Sequence, residues 1–322
     1  MLATSSRRDW IRGLAGSGLV LGVTSAPGEE RARNKFTDRK FTKDLVCGNI
    51  GVSARLPEAI TMAHRHGFES VAPDAGFLRS TSESRLSELR DDLKARNLVW
   101  GAAGLSVDFR GGPAEFETGL KNLSAEAEAL RRAGASRMGT WISPAHKTLT
   151  YLANFKQHVG RLREIANVLG DQGVRLGLEY VGPKTSWSRL PFPFIHTLAE
   201  MRELIAAIDR PNIGLVLDSW HWYAAHETAA DLLSLKGSDV ICCDLNDAPA
   251  GIPVDEQKDN ARELPCATGM IDLKTFLNAL VQIGYDGPVR AEPFKSDLRR
   301  MPAEQALAAT AKAMNDAFAL VA

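Results

Sequence analysis

Four apolar runs in the chain close on a carboxylate: Leu176-Gly177-Leu178 leads to Glu179, Leu215-Val216-Leu217 to Asp218, Ile241-Cys242-Cys243 to Asp244, and Val289-Arg290-Ala291 to Glu292. An acid at the end of a buried run is costly to ionise unless a counter-charge meets it. Either each one caps the next helix or pairs with a local Arg or Lys, or all four converge on a metal. Four converging acids cannot neutralise one another, so a divalent cation is the economical solution. An all-oxygen donor set favours Mn²⁺ or Mg²⁺ over Zn²⁺. Glu179, Asp218, Asp244 and Glu292 are therefore the candidate ligands of one ion.

Such acids need a scaffold that brings strand ends together. Short apolar or β-branched runs recur at Leu45-Val46-Cys47, Ser70-Val71-Ala72, Val99 to Ala102, Arg137 to Thr140, Val174 to Val181, Ile213 to Leu217, Val240 to Cys243 and Val289 to Ala291. Helical patterns lie between them. Ser82 can cap a segment burying Leu86, Leu89 and Leu93, a second stripe runs from Val159 through Leu162, Ile165, Ala166 and Leu169 to Gly170, and a third comprises Leu198, Met201, Leu204, Ile205 and Ile208. Eight β-α units whose strand ends lie 25 to 48 residues apart, against about 30 residues for one such unit, predict a single (β/α)₈ TIM barrel over residues 44–322 rather than an open doubly wound sheet. No Gly-x-Gly-x-x-Gly follows the first run, which removes the phosphate loop of a dinucleotide site. In a barrel the carboxyl ends of the strands form the catalytic face, where all four acids fall.

Composition narrows the partners. Lys+Arg and Asp+Glu are both 39 in 322 residues, so no basic excess points to nucleic acid, and no apolar run is long enough to span a bilayer. Four Cys make no disulfide framework and no paired zinc knuckle. Adjacent Cys242 and Cys243 on a strand would face opposite sides, as packing residues. At the start, Ser6-Arg7-Arg8-Asp9-Trp10-Ile11-Arg12, an apolar stretch from Gly13 to Val23 and small Thr24-Ser25-Ala26 resemble a twin-arginine export signal over residues 1–26. Export would place the mature protein in the periplasm. Residues 27–43 then read as a polar linker.

Gly182-Pro183-Lys184-Thr185, Asp218-Ser219-Trp220-His221-Trp222-Tyr223, Asn246-Asp247-Ala248-Pro249-Ala250-Gly251 and Ala291-Glu292-Pro293-Phe294, in that order, resemble the xylose isomerase-like barrels, whose members are commonly labelled sugar phosphate isomerase/epimerase. The resemblance implies one divalent metal at the ends of the last four barrel strands, with a polyhydroxylated carbonyl compound as substrate. It implies an acid/base pair in Glu179 and Glu292, a ligand role for Asp218 and a substrate contact for His221. The chemistry has an independent rationale. Moving a proton between neighbouring sugar carbons creates an enediolate that needs an electrophile, and two carboxylates can remove and return the proton. Around the site, Trp220, Trp222 and Tyr223 could wall a sugar ring or pack between helices. Lys184 and Arg262 could meet substrate oxygens or remain in solvent.

Departures from the resemblance also carry information. Relatives offer a His where Asp244 stands, which adds a negative charge to the cluster. Ketose epimerases carry a Glu and an Arg where this chain has Thr185 and Ala250, which disfavours plain ketose 3-epimerase activity. Leu264-Pro265-Cys266-Ala267-Thr268-Gly269 lacks the acidic member of a common Leu-Pro-Gly-Glu-Thr-Gly loop, a change expected to enlarge or mute the pocket. The leading expectation is a metal-dependent isomerase or epimerase of a sugar or keto-sugar. A lyase or hydratase on an oxidised sugar or glycoside and a catalytically decayed sugar-binding protein are the alternatives. A related barrel that cleaves damaged DNA needs a rich His set, and this chain has only 7 His. No Gly-x-Ser-x-Gly elbow supports a serine hydrolase. The expected partner is thus a small carbohydrate, and a homo-oligomer is left open.

Overall fold

The computed structural model describes residues 39–321, so the expected export signal and most of the linker lie outside the described residues. Eleven strands appear in chain order: β1 (Thr42–Leu45), β2 (Ser70–Val71), β3 (Val99–Trp100), β4 (Ala103–Gly104), β5 (Arg137–Trp141), β6 (Ala145–His146), β7 (Arg175–Glu179), β8 (Phe192–Pro193), β9 (Ile213–Asp218), β10 (Val240–Leu245) and β11 (Pro288–Ala291). Nine form one parallel sheet in the order β3-β2-β1-β11-β10-β9-β7-β5-β4. Its two ends, β3 and β4, are halves of one stretch interrupted at Gly101-Ala102, so the sheet returns on itself as eight staves. This is the expected TIM barrel. The remaining pair, β6 and β8, forms a small antiparallel ribbon.

Seven staves fall on the apolar runs read from sequence, while the first, β1, begins upstream of its run and meets it only at Leu45. β9 and β10 are buried at every residue, the pattern of parallel strands covered on both faces. Inside the barrel the space is narrow, and small side chains fill it: Ala102, Val216 and Cys242 form a cluster separate from the main core. Cys243 belongs to the outer core, so the two cysteines do face opposite ways.

Helices read from sequence form where their caps are. Ser82 Oγ accepts from Arg85 N at the start of Glu83–Ala95, which buries Leu86, Leu89 and Leu93. Thr197 and Glu200 make a reciprocal capping box at Leu198–Ile208. Thr150 caps Tyr151–Gly170, whose buried face includes Leu162, Ile165, Ala166 and Leu169. One boundary is corrected. Residues 39–43, read as linker, belong to the barrel: Phe41 is buried, Arg39 makes a two-pronged ion pair with Glu69, and Thr42 begins β1. A Lys/Arg-rich stretch hid the short strand because its partners lie in β2 and β11.

Candidate active site

Strand ends deliver the four acids. Glu179 ends β7, Asp218 ends β9, Asp244 is the penultimate residue of β10, and Glu292 follows β11. Asp218 and Asp244 are register partners across β9 and β10, as are Asp244 and Arg290 across β10 and β11. A cavity of about 550 Å³ opens above them, a size suited to a small ligand. Glu179, His221, Asp259, Arg262 and Glu292 line it, with Trp141 and Phe294 as its aromatic walls.

Two arginines, rather than a metal alone, answer the acids. Arg262 is buried, and its Nη1 donates to Asp218 Oδ2 at 2.8 Å and to Glu292 Oε2 at 3.2 Å, while Nη2 donates to Asp259 Oδ1 at 2.8 Å. Its guanidinium sits 4.6 Å from the centre of the Phe294 ring. Burial opposes its charge, but Asp218, Asp259 and Glu292 outweigh that and push its pKa up. Arg290 donates Nε to Asp244 Oδ1 at 2.6 Å and Nη2 to Asp244 Oδ2 at 3.0 Å. The added negative charge expected from Asp244 is therefore matched in register by the neighbouring strand. With Asp259 counted, five carboxylates face two guanidinium groups, an excess of negative charge that a divalent ion would reduce.

The remaining electrostatics favour such an ion. Ligand atoms of Glu179, Asp244 and Glu292 lie within 4.8 Å of one another, as do those of Glu179, Asp218 and His221. Glu179 Oε1 is buried and has no hydrogen-bond partner. Burial, then the charges of Glu292, Asp218 and Asp244, push the Glu179 carboxyl well up; burial and then Asp244 do the same to Glu292. Asp218 is also raised, by burial, although Arg262 opposes the shift. The orphaned Glu179 oxygen, shared by both sets, fits a hard divalent cation held either with Asp244 and Glu292 or with Asp218 and His221. The oxygens of Asp244 already accept from Arg290, and those of Asp218 from Arg262, Trp220 and Asn246.

His221 stands where the three-residue step from Asp218 puts it, buried, with Nε2 3.8 Å from Glu179 Oε1 and 3.7 Å from Asp218 Oδ2. Its Nδ1 accepts from Gly182 N at 3.2 Å, so a neutral ring carries its proton on Nε2. Burial, then the Arg262 charge, lowers its pKa to about 3. Other candidates fall elsewhere. Trp220 and Trp222 are buried and do not line the cavity; Trp222 packs on Phe276 and donates Nε1 to Thr228 O. Their place on the short helix Ser219–Ala224 turns them into the core. Lys184 is half exposed and bonds Asp255 at 2.8 Å, an ion pair on the surface rather than a substrate contact.

Sequence reasoning undervalued Arg262, gave Asp247 and Phe294 no role beyond their motifs, and missed Asp259 and Trp141. Asp247 accepts from the backbone N–H groups of Ala248, Thr268, Gly269 and Ile271 at 2.7–3.1 Å, which ties down the loop that carries Arg262. Ala267, where the acidic member of the loop motif is missing, is exposed and does not line the cavity.

Comparison with known proteins agrees with this geometry. The inosose isomerase of Bacillus subtilis (strain 168) is 30% identical over 164 residues, covering 50% of this chain and 55% of that protein. A ketose 3-epimerase of Arthrobacter globiformis is 31% identical over 202 residues, 59% of this chain and 62% of that one. The chain thus spans little more than half the length of the curated relatives it matches. A xylose isomerase domain protein from Alicyclobacillus acidocaldarius superposes with a TM-score of 0.72 at 28% identity, covering 84% of this chain and 96% of its own. The profile of one family matches residues 60–317. By that match, its closed barrel and its strand-end acids, the chain belongs to the xylose isomerase-like TIM barrel family.

Proposed function

We propose that the protein is a divalent-metal-dependent isomerase or epimerase of a keto-sugar or a related cyclic polyol ketone. The observation that carries this reading is the pair Glu179 and Glu292, both held toward the protonated form beside one cavity. They reach it from β7 and β11, with β9 and β10 between them. One carboxylate, ionised, takes the proton from the carbon beside the carbonyl, and the other, protonated, returns one. When bound, the ion supplies the electrophile for the developing oxyanion, and Mn²⁺ or Mg²⁺ suits the oxygen donors. His221 Nε2–H is a donor for a substrate oxygen, and Arg262, its guanidinium engaged by Asp218, Asp259 and Glu292, holds the acids in place. Phe294 and Trp141 offer apolar faces to the substrate ring.

The similarity to an inosose isomerase and a ketose 3-epimerase supports the same chemistry. The test is solvent exchange: metal-loaded protein incubated in D₂O with inososes and ketoses takes up deuterium beside the carbonyl. No uptake with any of them overturns the reading, and a new ultraviolet-absorbing enone in its place assigns elimination instead. Elemental analysis should find one divalent ion per chain, lost in Glu179→Ala. We also propose that residues 1–26 direct export by the twin-arginine route. Cell fractionation of the wild type and of an Arg7→Lys, Arg8→Lys variant tests it, and periplasmic accumulation of both would rule it out.

A further inference from the structure

The barrel mouth holds a second cavity, of about 610 Å³, over the ends of β1 to β5. It adjoins the first. Gly139 lines the second and Trp141 the first, two residues apart on β5; Arg290 lines the second and Glu292 the first, two apart at β11. Residues two apart on a strand share a face, so the two cavities stand side by side along common walls.

The second cavity has a polar equipment the proposed isomerisation does not use. Arg290 spends Nε and Nη2 on Asp244, and among the described residues its Nη1 has no hydrogen-bond partner. Glu126, buried in the helix Pro113–Ala133, accepts from Ser106 Oγ at 2.6 Å through Oε2, and its Oε1 has no partner among them. Asp74 and Asn49 also line the space, and Gly48, Gly76, Gly104 and Gly139 keep its walls open. An anion is poorly matched. The Arg290 charge is already met by Asp244, and Glu126 and Asp74 would repel a phosphate or carboxylate. A neutral group that can both donate and accept fits a cavity whose lining includes a free guanidinium N–H and a free carboxylate oxygen.

From this we propose that the second cavity binds a glycosyl substituent of the substrate, so that the natural substrate is a ketose or cyclitol ketone bearing a second sugar ring. The proposal rests on the keto-sugar reading of the first cavity. Gly104 and Gly48 are the places to test it, because a Cβ at either meets nothing within 4 Å and neither backbone is left-handed. Leu at either position adds bulk at the cavity wall, and its Cβ meets no clash.

Saturation-transfer difference NMR on the Mg²⁺-loaded protein, with isomaltulose, maltulose and turanose as probes and D-fructose as reference, reads each ring separately. The expected result is saturation of both rings of at least one disaccharide. In Gly104→Leu, and independently in Gly48→Leu, the glucosyl signals fade while those of the ketose ring persist, and affinity for that disaccharide falls about tenfold. Saturation confined to the ketose ring, or glucosyl signals untouched in both variants, overturns the second site and leaves the first standing. Absence of signal from every sugar, D-fructose included, overturns both.

Discussion

At the scale of single residues, Arg262 decides how the acids coexist. Asp218 is fully buried, and its charge is met by one Arg262 bond at 2.8 Å, the Trp220 N–H and the Asn246 amide. Removing the guanidinium leaves a buried carboxylate beside two others. Arg262→Met should therefore cost about 3–5 kcal/mol in chemical denaturation, with part of the loss recovered on adding Mn²⁺. A variant as stable as the wild type would show that the ion pairs are not what holds the cluster. Glu292→Gln keeps the shape and one acceptor but cannot exchange a proton. Its turnover should drop about 10²–10⁴-fold with folding intact, as read by circular dichroism beside the deuterium assay. The sequence displayed the four acids because each closes an apolar run. It did not display their partners, since Arg262 lies in a stretch without periodicity and Arg290 looks like an outward-facing strand residue.

At the scale of elements, the loop after β10 is the part that sequence reading described least well. Asn246-Asp247 stood out as a motif, but the role of Asp247 becomes visible only when residues 268–271 fold back over it. Four backbone donors converge on one carboxylate, and a short bridge pairs Asp247 with Glu263. Gln257 fastens the near half of the same loop, donating to the carbonyls of Pro249 and Ile252. Asp247→Ala strands these donors and should cost about 3 kcal/mol. Limited proteolysis should then cut between residues 250 and 270, where the wild type resists; an unchanged digest would assign the order of the loop to Gln257 and packing instead. By contrast, the helices capped by Ser82 and Thr197 were legible, because a cap and the stripe that follows it are neighbours in the chain.

At the scale of the whole molecule, the helix Tyr151–Gly170 is pressed onto the barrel through a buried histidine. His158 lies 5.6 Å from the Phe109 ring and 4.9 Å from the Phe194 ring, and its Nδ1 donates to Asn154 O at 2.9 Å. Burial lowers its pKa to about 4. The unfolded chain, with an ordinary His value near 6.5, therefore binds more protons than the native state between pH 6.5 and 4. Stability is complete above that window and is lost as pH falls through it, by about 3 kcal/mol from this residue. His158→Phe should flatten that part of the pH profile in denaturant melts. Equal slopes in the two proteins would exclude His158 as the source.

The sequence by itself determined the barrel, seven of its eight staves and the four acids at strand ends, because strand burial and helix capping are written in neighbouring residues. The tertiary structure alone decided which charges meet. Arg290 reaches Asp244 from the next stave, Arg262 enters from a loop 44 residues beyond Asp218, and Trp220 and Trp222 turn inward. Ion pairing depends on distance in space, and in a closed barrel residues far apart along the chain become nearest neighbours.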